Sequence, residues 1–430
     1  MAQMGRTGPT EARVQHHQDS MRDPSAMLEE LLAPSPKIGT GSSRRAELPE
    51  KTLARLSVCL ADFGITRVAN ITGLDNIGIP VVSVIRPQSR SVVVSQGKGT
   101  TLDAAKVSGI MESVELFHAE RIIQPLQYAS FNDLQEAEII ADITRLPQSA
   151  TGSFHSDSDL LWIRGTDLLA RTTTVVPFEL VHTRFVEPRT PGSGAFPATT
   201  NGLASGTTLT EAVLHGVCEV IERDARALWA RASDEVRGHT VINCQSVADP
   251  VAQSLLTSYA TANIDVTVWE LTTDIGVPVF VCRIESRDTE DTFGGVSGAG
   301  CNPDKNIALV RALTEAAQVR LALIAGARDD IGRIQYGGRR DEKRRSFIPV
   351  PVHTGRDFAD LISFAGSTTN DDVDWVLSRL RSTGFDSVIG VDLSRNWPGI
   401  HVVRIIIPGL EGMHGGADYV PGPRAKELIR

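Results

Sequence analysis

Residues 200–225 read TNGLASGTTLTEAVLHGVCEVIERDA, a glycine-rich stretch followed by a long amphipathic pattern that contains the motif E-x-x-E-R at 219–223. The glycines predict a turn, and the apolar residues after them recur at helical spacing. Glu219 and Glu222 lie away from the apolar stripe, and Arg223 follows them directly. The helix contains no lysine, although a face in contact with water normally mixes lysine with acids.

The same order of features occurs three times in the chain, which indicates an internal repeat. The other copies are Gly99 followed by Glu112 and Glu115, and Gly300 followed by Glu315 and Gln318. In each pair the second residue follows the first by three positions. The first members of the three pairs lie at equivalent angles from the apolar stripes of their helices, and so do the second members. A wet helix face is the ordinary explanation for one such pair. Three equivalent pairs favour convergence of the acids at one place.

Carboxylates gathered away from water must bind cations or raise their pKa values. Mg²⁺ prefers such oxygen ligands and typically bridges carboxylates and nucleotide phosphates. Arg223 and Arg328 can neutralise phosphate oxygens, and glycine-rich turns before helices leave backbone N–H groups free for anions. The sequence therefore predicts a magnesium–nucleotide site. This site has no P-loop, because GxxxxGK[ST] is missing and QGKG at 96–99 is too short.

The rest of the pattern predicts a mixed α+β fold. Strands are expected at 68–74, 80–86 and 91–95 before a helix at 101–121, strands at 266–271 and 277–284 before a helix at 304–326, further helices at 50–62 and 373–383, and strands at 387–393 and 401–407. Residues 1–22 predict a disordered tail, residues 23–44 a short helix and linker, and residues 45–430 one domain with an irregular Gly/Pro-rich end. Segment 332–345 is expected to separate the last portion from the main body.

Composition narrows the class of protein. The 430 residues carry a net charge of −9 and their basic residues are scattered. The sequence therefore shows no basic patch for a nucleic-acid backbone, and we expect no nucleic-acid partner. The chain lacks an apolar run of roughly 20 residues and an apolar signal at its start, so we expect a cytoplasmic protein that does not enter a membrane. The five cysteines show no zinc-like spacing and are expected to be buried thiols, with Cys301 as the one functional candidate.

With these residues assembled, the chain resembles the YcaO family. Residues 200–225 resemble its central signature. Its first acidic helix resembles residues 95–120, SQGKGTTLDAAKVSGIMESVELFHAE, and its third resembles residues 308–330, ALVRALTEAAQVRLALIAGARDD. The likeness covers about residues 45–425. It implies a fold of pseudo-repeated strand–helix units around an ATP site, ATP and Mg²⁺ as cofactors, and usually a homodimer.

The resemblance also assigns roles to residues of this chain. It implies that the magnesium ligands are Glu112, Glu115, Glu219 and Glu222, and that Arg223 contacts phosphate and forms the catalytic group with Glu219 and Glu222. Positions that help hold nucleotide or metal are Glu211, Glu315 and Gln318, and an amino-terminal phosphate-contacting pair is Arg45 and Thr52. Thr207 stands where the family often has Asn, and its hydroxyl is a ligand candidate.

The family's chemistry is ATP-driven activation of a peptide amide oxygen, and the nucleophile decides the product. Azoline-forming relatives usually end in PxPxP, whereas this chain ends VPGPRAKELIR, which argues against azoline formation. GITRVANITGLDNIGIPV and VVRIIIPGLEG resemble the subgroup that acts with a TfuA-type partner, for which thioamide formation is implied. The alternatives are an azoline-forming cyclodehydratase, an ATP-binding accessory protein without peptide-modifying activity, and a peptide-binding scaffold with a decayed site.

Overall fold

The computed structural model of the chain describes residues 24–39, 44–192, 194–288, 294–327, 355–412 and 419–428. The predicted tail 1–22, segment 332–345 and Arg328 lie outside the described residues. The helices are α1 (Pro24–Glu30), α2 (Pro49–Ser57), α3 (Leu102–Glu120), α4 (Phe131–Leu134), α5 (Leu209–Trp229), α6 (Asp234–His239), α7 (Pro250–Thr261), α8 (Lys305–Ala325), α9 (Thr369–Ser382) and α10 (Pro423–Glu427). The strands are β1 (Arg67–Asn70), β2 (Val81–Ile85), β3 (Val94–Lys98), β4 (Leu126–Ala129), β5 (Leu160–Asp167), β6 (Thr172–Pro177), β7 (Leu203–Gly206), β8 (Ile264–Glu270), β9 (Val279–Ser286), β10 (Val296–Cys301), β11 (Ile389–Asp392) and β12 (His401–Ile406).

The strands form three antiparallel sheets. Two have three strands each, in the orders β1-β2-β3 and β10-β9-β8. The third has six strands in the order β4-β5-β11-β12-β7, with β6 paired to β5. The mixed α+β fold predicted from the sequence is confirmed.

An edge strand of each sheet leads directly into a long helix: β3 into α3, β7 into α5 and β10 into α8. The helices begin in the same way, because the side chains of Thr101, Thr208 and Asp304 accept backbone N–H groups at the first turn. These N-cap residues fix the start of each helix and give the three units a common reference position along the sequence. The pseudo-repeated strand–helix unit is therefore present three times.

Of the three glycines expected in turns, Gly206 and Gly300 lie in the strands β7 and β10, whereas Gly99 directly follows β3. Gly97 lies in β3 and Gly300 in β10. A Cβ on Gly97 would lie 2.1 Å from the Ala105 carbonyl oxygen, and a Cβ on Gly300 would lie 2.2 Å from that of Ala308. Glycine is needed because the helix backbone packs directly on the strand.

The three units close into a ring. Besides its own strand, α3 contacts β7, α5 contacts β10 and α8 contacts β3. The apolar residues of α3, α5 and α8 belong to three separate core clusters, represented by Val114, Val217 and Leu313. Each helix therefore lies between two strands and is held in place by both.

The last portion of the chain is part of the main body, which corrects the expected separation at 332–345. Strands β11 and β12 lie inside the six-stranded sheet, between β5 and β7. Four pairs from His401↔Gly206 to Arg404↔Leu203 join β12 to β7. At the other end of the chain, α1 docks on the body through Met27, which is buried with α5 and β12.

Several element boundaries differ from those predicted, and those of α2 and β3 have a clear physical reason. Helix α2 ends at Ser57 instead of residue 62, and turns lead from there to Gly64, whose φ of 70° suits glycine. Strand β3 runs to Lys98 instead of ending at residue 95, because its pairing with β2 continues to Val81↔Lys98. Glycine at position 97 had suggested a turn.

Candidate functional site

Six polar side chains occupy two equivalent levels of the three long helices. Eleven residues after the N-cap stand Glu112, Glu219 and Glu315, and fourteen residues after it stand Glu115, Glu222 and Gln318. Spacing counted from the glycines agrees for only two copies, because Gly300 lies four residues before its N-cap, whereas Gly99 and Gly206 lie two residues before theirs. Counting from the N-cap makes all three copies equal.

These side chains do not form a wet helix face. The exposed fractions of the Glu222, Glu219 and Glu315 side chains are 10%, 19% and 26%. Glu112, Glu115 and Gln318 are also only partly exposed. Charged residues at such positions need partners or cations. The interpretation of the pairs as solvated surface is therefore wrong.

Glu115 marks the point where α3 meets the neighbouring unit. The Ser205 hydroxyl of β7 donates to its Oε1 at 2.6 Å. Burial and the charges of Glu112 and Glu219 together raise the pKa of Glu115 to about 8, although the Ser205 hydrogen bond opposes the rise. Three carboxyl groups from α3 and α5 thus lie close enough to repel one another.

On α5, arginines offset the acids only in part. Burial raises the pKa values of Glu219 and Glu222, and Arg223 opposes the rise at both. Arg223 Nη2 lies 3.5 Å from Glu219 Oε1, and Arg226 Nη1 lies 3.9 Å from Glu222 Oε1. These are long contacts, and Arg223 Nε is buried without a hydrogen-bond partner among the described residues. A guanidinium in this state can take an anionic oxygen.

Glu315 differs from the other acids because it is paired. Lys98 at the end of β3 forms a salt bridge with it, and the Ala299 N–H donates to its Oε1 at 3.1 Å. Burial would raise the pKa of Glu315, but Lys98, Arg226 and the Ala299 N–H together outweigh burial and hold the pKa well below the usual value. Sequence reasoning missed Lys98, because it considered QGKG only as a P-loop and found it too short.

Glu211, Thr207 and Arg45 lie at the start of α5. Glu211 accepts three hydrogen bonds, from the Thr207 N–H at 2.9 Å, the Thr207 hydroxyl at 2.6 Å and the Ala46 N–H at 2.6 Å. The carboxylate thereby ties the amino-terminal segment to the helix. The side chain of Arg45, next to Ala46, is exposed and acts electrostatically on His215 of α5.

The other predicted residues have different outcomes. Thr52 is buried in α2, and its hydroxyl donates to Glu47 at 2.9 Å, so its proton is already engaged. Gln318 is half-buried one turn after Glu315. Cys301 is buried at the end of β10, and burial raises the pKa of its thiol well above the ordinary value, which makes it a poor nucleophile.

Three basic or imidazole side chains escaped the sequence analysis. Arg311 Nη2 lies 2.6 Å from His215 Nε2, and the Arg311 charge acts on Glu219 and Glu222. Arg404 of β12 is buried, donates to the Thr199 carbonyl at 2.7 Å and has no described partner for Nε or Nη1. An arginine inside the apolar strand VVRIII was the available signal for Arg404.

The donor set suits a cation and an anion together. Among the described residues, no group of three or more His, Cys, Asp or Glu side chains converges tightly enough to hold a metal ion by itself. Mg²⁺ is commonly held by one or two carboxylates with phosphate oxygens completing its shell. Carboxyl groups with raised pKa values, beside the buried unpartnered nitrogens of Arg223 and Arg404, fit magnesium and phosphate.

The comparisons with known proteins agree with one another. The family model described as YcaO cyclodehydratase, ATP- and Mg²⁺-binding, matches residues 96–411. An uncharacterized protein in the tfuA 3′ region of Rhizobium leguminosarum bv. trifolii is 35% identical over 398 residues, which are 90% of this chain and 93% of that protein.

Two solved structures share the fold. YcaO from Methanopyrus kandleri, bound with AMPPCP and Mg²⁺, has a TM-score of 0.70 at 22% identity and covers 90% of this chain and 100% of its own. A heterocyclase in complex with substrate and cofactor has a TM-score of 0.75 at 22% identity, over 94% of this chain and 57% of its own. Within the described ranges, every helix is too short or too polar to span a lipid bilayer.

Proposed function

The chain belongs to the YcaO family, and on that premise we propose that it activates a peptide backbone amide by ATP-dependent O-phosphorylation to form a thioamide, together with a TfuA-like partner. The observation that carries the ATP and magnesium part is the convergence of Glu112, Glu115 and Glu219 beside Arg223. Acids that repel one another beside partly free guanidinium groups suit a cation bridged to an anion.

Magnesium ATP, when bound, supplies the phosphoryl group that converts the amide oxygen into a leaving group. Glu112, Glu115, Glu219 and Glu222 would hold the metal, and Arg223 would contact phosphate. The contribution of the chain is to position these charges before the substrate arrives, because helices fixed between two strands cannot move apart. The Cys301 thiol is not expected to be the nucleophile, since it is buried beside α5.

Thioamide formation is supported by the relative in the tfuA 3′ region, which matches this chain over nearly its full length. Sulfide adds to the amide carbon and the oxygen leaves as phosphate, so that amide, sulfide and ATP yield thioamide, ADP and phosphate. A TfuA-like partner would deliver sulfur or recruit the peptide. The homodimer and the cytoplasmic location stay predictions.

Azoline formation is the second candidate, because the family model is described as a cyclodehydratase and a heterocyclase shares the fold. Mass spectrometry distinguishes the two products after co-expression of the chain with its partner and peptide. Exchange of one oxygen for one sulfur indicates a thioamide, and loss of one water indicates an azoline. An unmodified peptide with intact ATP binding would indicate an accessory protein.

The site itself is tested by Glu219→Gln, which removes one ligand charge and keeps the shape of the side chain. ATP turnover should fall to background, because the metal loses a carboxylate. Glu235→Gln on the exposed surface of α6 is the matched control and should keep full turnover. Normal turnover by Glu219→Gln would exclude this acid from the site.

A further inference from the structure

His215 and Arg311 meet at equivalent positions of two different units. Each stands seven residues after its N-cap, His215 on α5 and Arg311 on α8, one helical turn before Glu219 and Glu315. Arg311 Nη2 donates to His215 Nε2 over 2.6 Å. A layer of imidazole and guanidinium therefore precedes the layer of carboxylates along both helices.

The contact fixes the chemical state of His215. An imidazole nitrogen that accepts from guanidinium carries no proton, so the proton of the neutral ring must be on Nδ1. The Ser205 backbone acts on the ring in the same sense, because hydrogen bonding to it raises the pKa of His215. Burial and the positive charges of Arg311, Arg45 and Lys98 hold the pKa of His215 well below its ordinary value, so the ring stays neutral.

Arg311 is under competing attractions. Its charge lowers the pKa values of both Glu219 and Glu222, so both carboxylates attract it. An arginine free to turn would pair with a carboxylate bidentately, which is its strongest common interaction. Such a pair would occupy oxygens that a metal ion requires and donors that a phosphate requires.

We propose that His215 is a positioning residue that anchors Arg311 away from the carboxylates and presents its guanidinium to an anionic phosphate group. The assignment rests on the proposed function, because it takes the nucleotide phosphates as the anion. His215 touches neither phosphate nor metal and acts only through Arg311. A neutral acceptor is suited to this role, since a carboxylate at the same position would neutralise the arginine.

The experiment compares two substitutions of His215. Glutamine can place its Oε1 near the position of Nε2 and keeps an acceptor for Arg311, whereas leucine has similar bulk and no acceptor. Calorimetric titration with magnesium and the non-hydrolysable analogue AMPPCP measures binding without turnover. We expect His215→Leu to weaken binding about tenfold, equivalent to about 1.4 kcal/mol, and His215→Gln to bind within about threefold of wild type.

Two results would overturn the role of His215: unchanged binding by His215→Leu, or equal losses in His215→Leu and His215→Gln. Steady-state kinetics adds a second readout, since loss of phosphate binding should raise the KM for ATP more than it lowers kcat. Wild-type chain that binds no magnesium nucleotide would refute the proposed function. A double-mutant cycle tests the His215–Arg311 contact independently of nucleotide. Urea unfolding compares the nucleotide-free His215→Leu and Arg311→Lys variants with the double variant, and additive losses of stability would contradict the contact.

Discussion

Glu115→Gln should stabilise the nucleotide-free chain although it removes a proposed magnesium ligand. Burial together with Glu112 and Glu219 raises the pKa of Glu115 from 4.5 to about 8. The folded state therefore keeps a proton that the unfolded state releases between these two values. By linkage, the free energy of unfolding falls as pH rises from about 4.5 to about 8. Glutamine has the same shape and no charge, so this loss disappears.

The size of the effect follows from the shift in pKa. One pKa unit is about 1.36 kcal/mol, so the full shift would amount to at most about 5 kcal/mol at pH 8 and above. Glu115 is partly exposed, and solvent screening reduces the expected gain to about 2 to 3 kcal/mol. The Ser205 hydroxyl can still donate to the glutamine oxygen, so the hydrogen bond at 2.6 Å is kept.

Urea unfolding at pH 5, 7 and 8.5 in the presence of EDTA measures the gain. The difference between variant and wild type should be near zero at pH 5 and largest at pH 8.5. Glu136→Gln, at an exposed position after α4, serves as the control and should show no such trend. A difference that does not depend on pH, or a variant less stable than wild type at pH 8.5, would refute the claim that Glu115 is buried and repelled by neighbouring carboxylates. These acids would then be an ordinary solvated helix surface.

Three further predictions test other parts of the structure. Arg223→Lys keeps the charge but loses the planar guanidinium, so the KM for ATP should rise at least about tenfold; unchanged steady-state kinetics would remove Arg223 from the site. Gly97→Ala places a Cβ 2.1 Å from backbone atoms of α3 and should cost about 3 kcal/mol or more in urea unfolding, whereas Gly73→Ala, with no atom within 4 Å, should be close to neutral. His118 is buried, and burial lowers its pKa to about 3, so proton uptake by the unfolded state should lower the stability of wild type relative to His118→Leu by about 2 kcal/mol between pH 7 and pH 5; a difference between the two that does not change with pH would contradict the assignment.

The parts of the site that lie on one helix could be predicted from the spacing of residues in the sequence. Residues three or four apart on one helix have a fixed angular relation, so the pairs on α3 and α5 could be recognised without a structure. The N-caps at Thr101 and Thr208 had the expected residue type as well. Glu219 and Glu222, the proposed catalytic acids, and Arg223 belong to this category, because a single helix carries all three.

Contacts between units could not be predicted in this way. Ser205 reaches Glu115 across 90 residues of sequence and Lys98 reaches Glu315 across 217. Such pairs depend on how the units close into a ring, which no local periodicity encodes. The glycines misled for a related reason: at Gly97 the backbone is extended, and the missing side chain makes room for a helix instead of a turn.

The position of the last two strands has a consequence for synthesis of the protein. A ribosome that has delivered residues 1–388 has supplied β5 and β7 but not β11 and β12, which join them. Until residues 389–406 have emerged, the apolar faces of β5 and β7 must be protected from water by other parts of the nascent chain or by a chaperone. The register of Ser205 opposite Val402 is set only then, and with it the approach of β7 to Glu115. A product that ends before residue 389 would lack the two strands that join β5 to β7, and would therefore lack the pairing that sets Ser205 against Glu115.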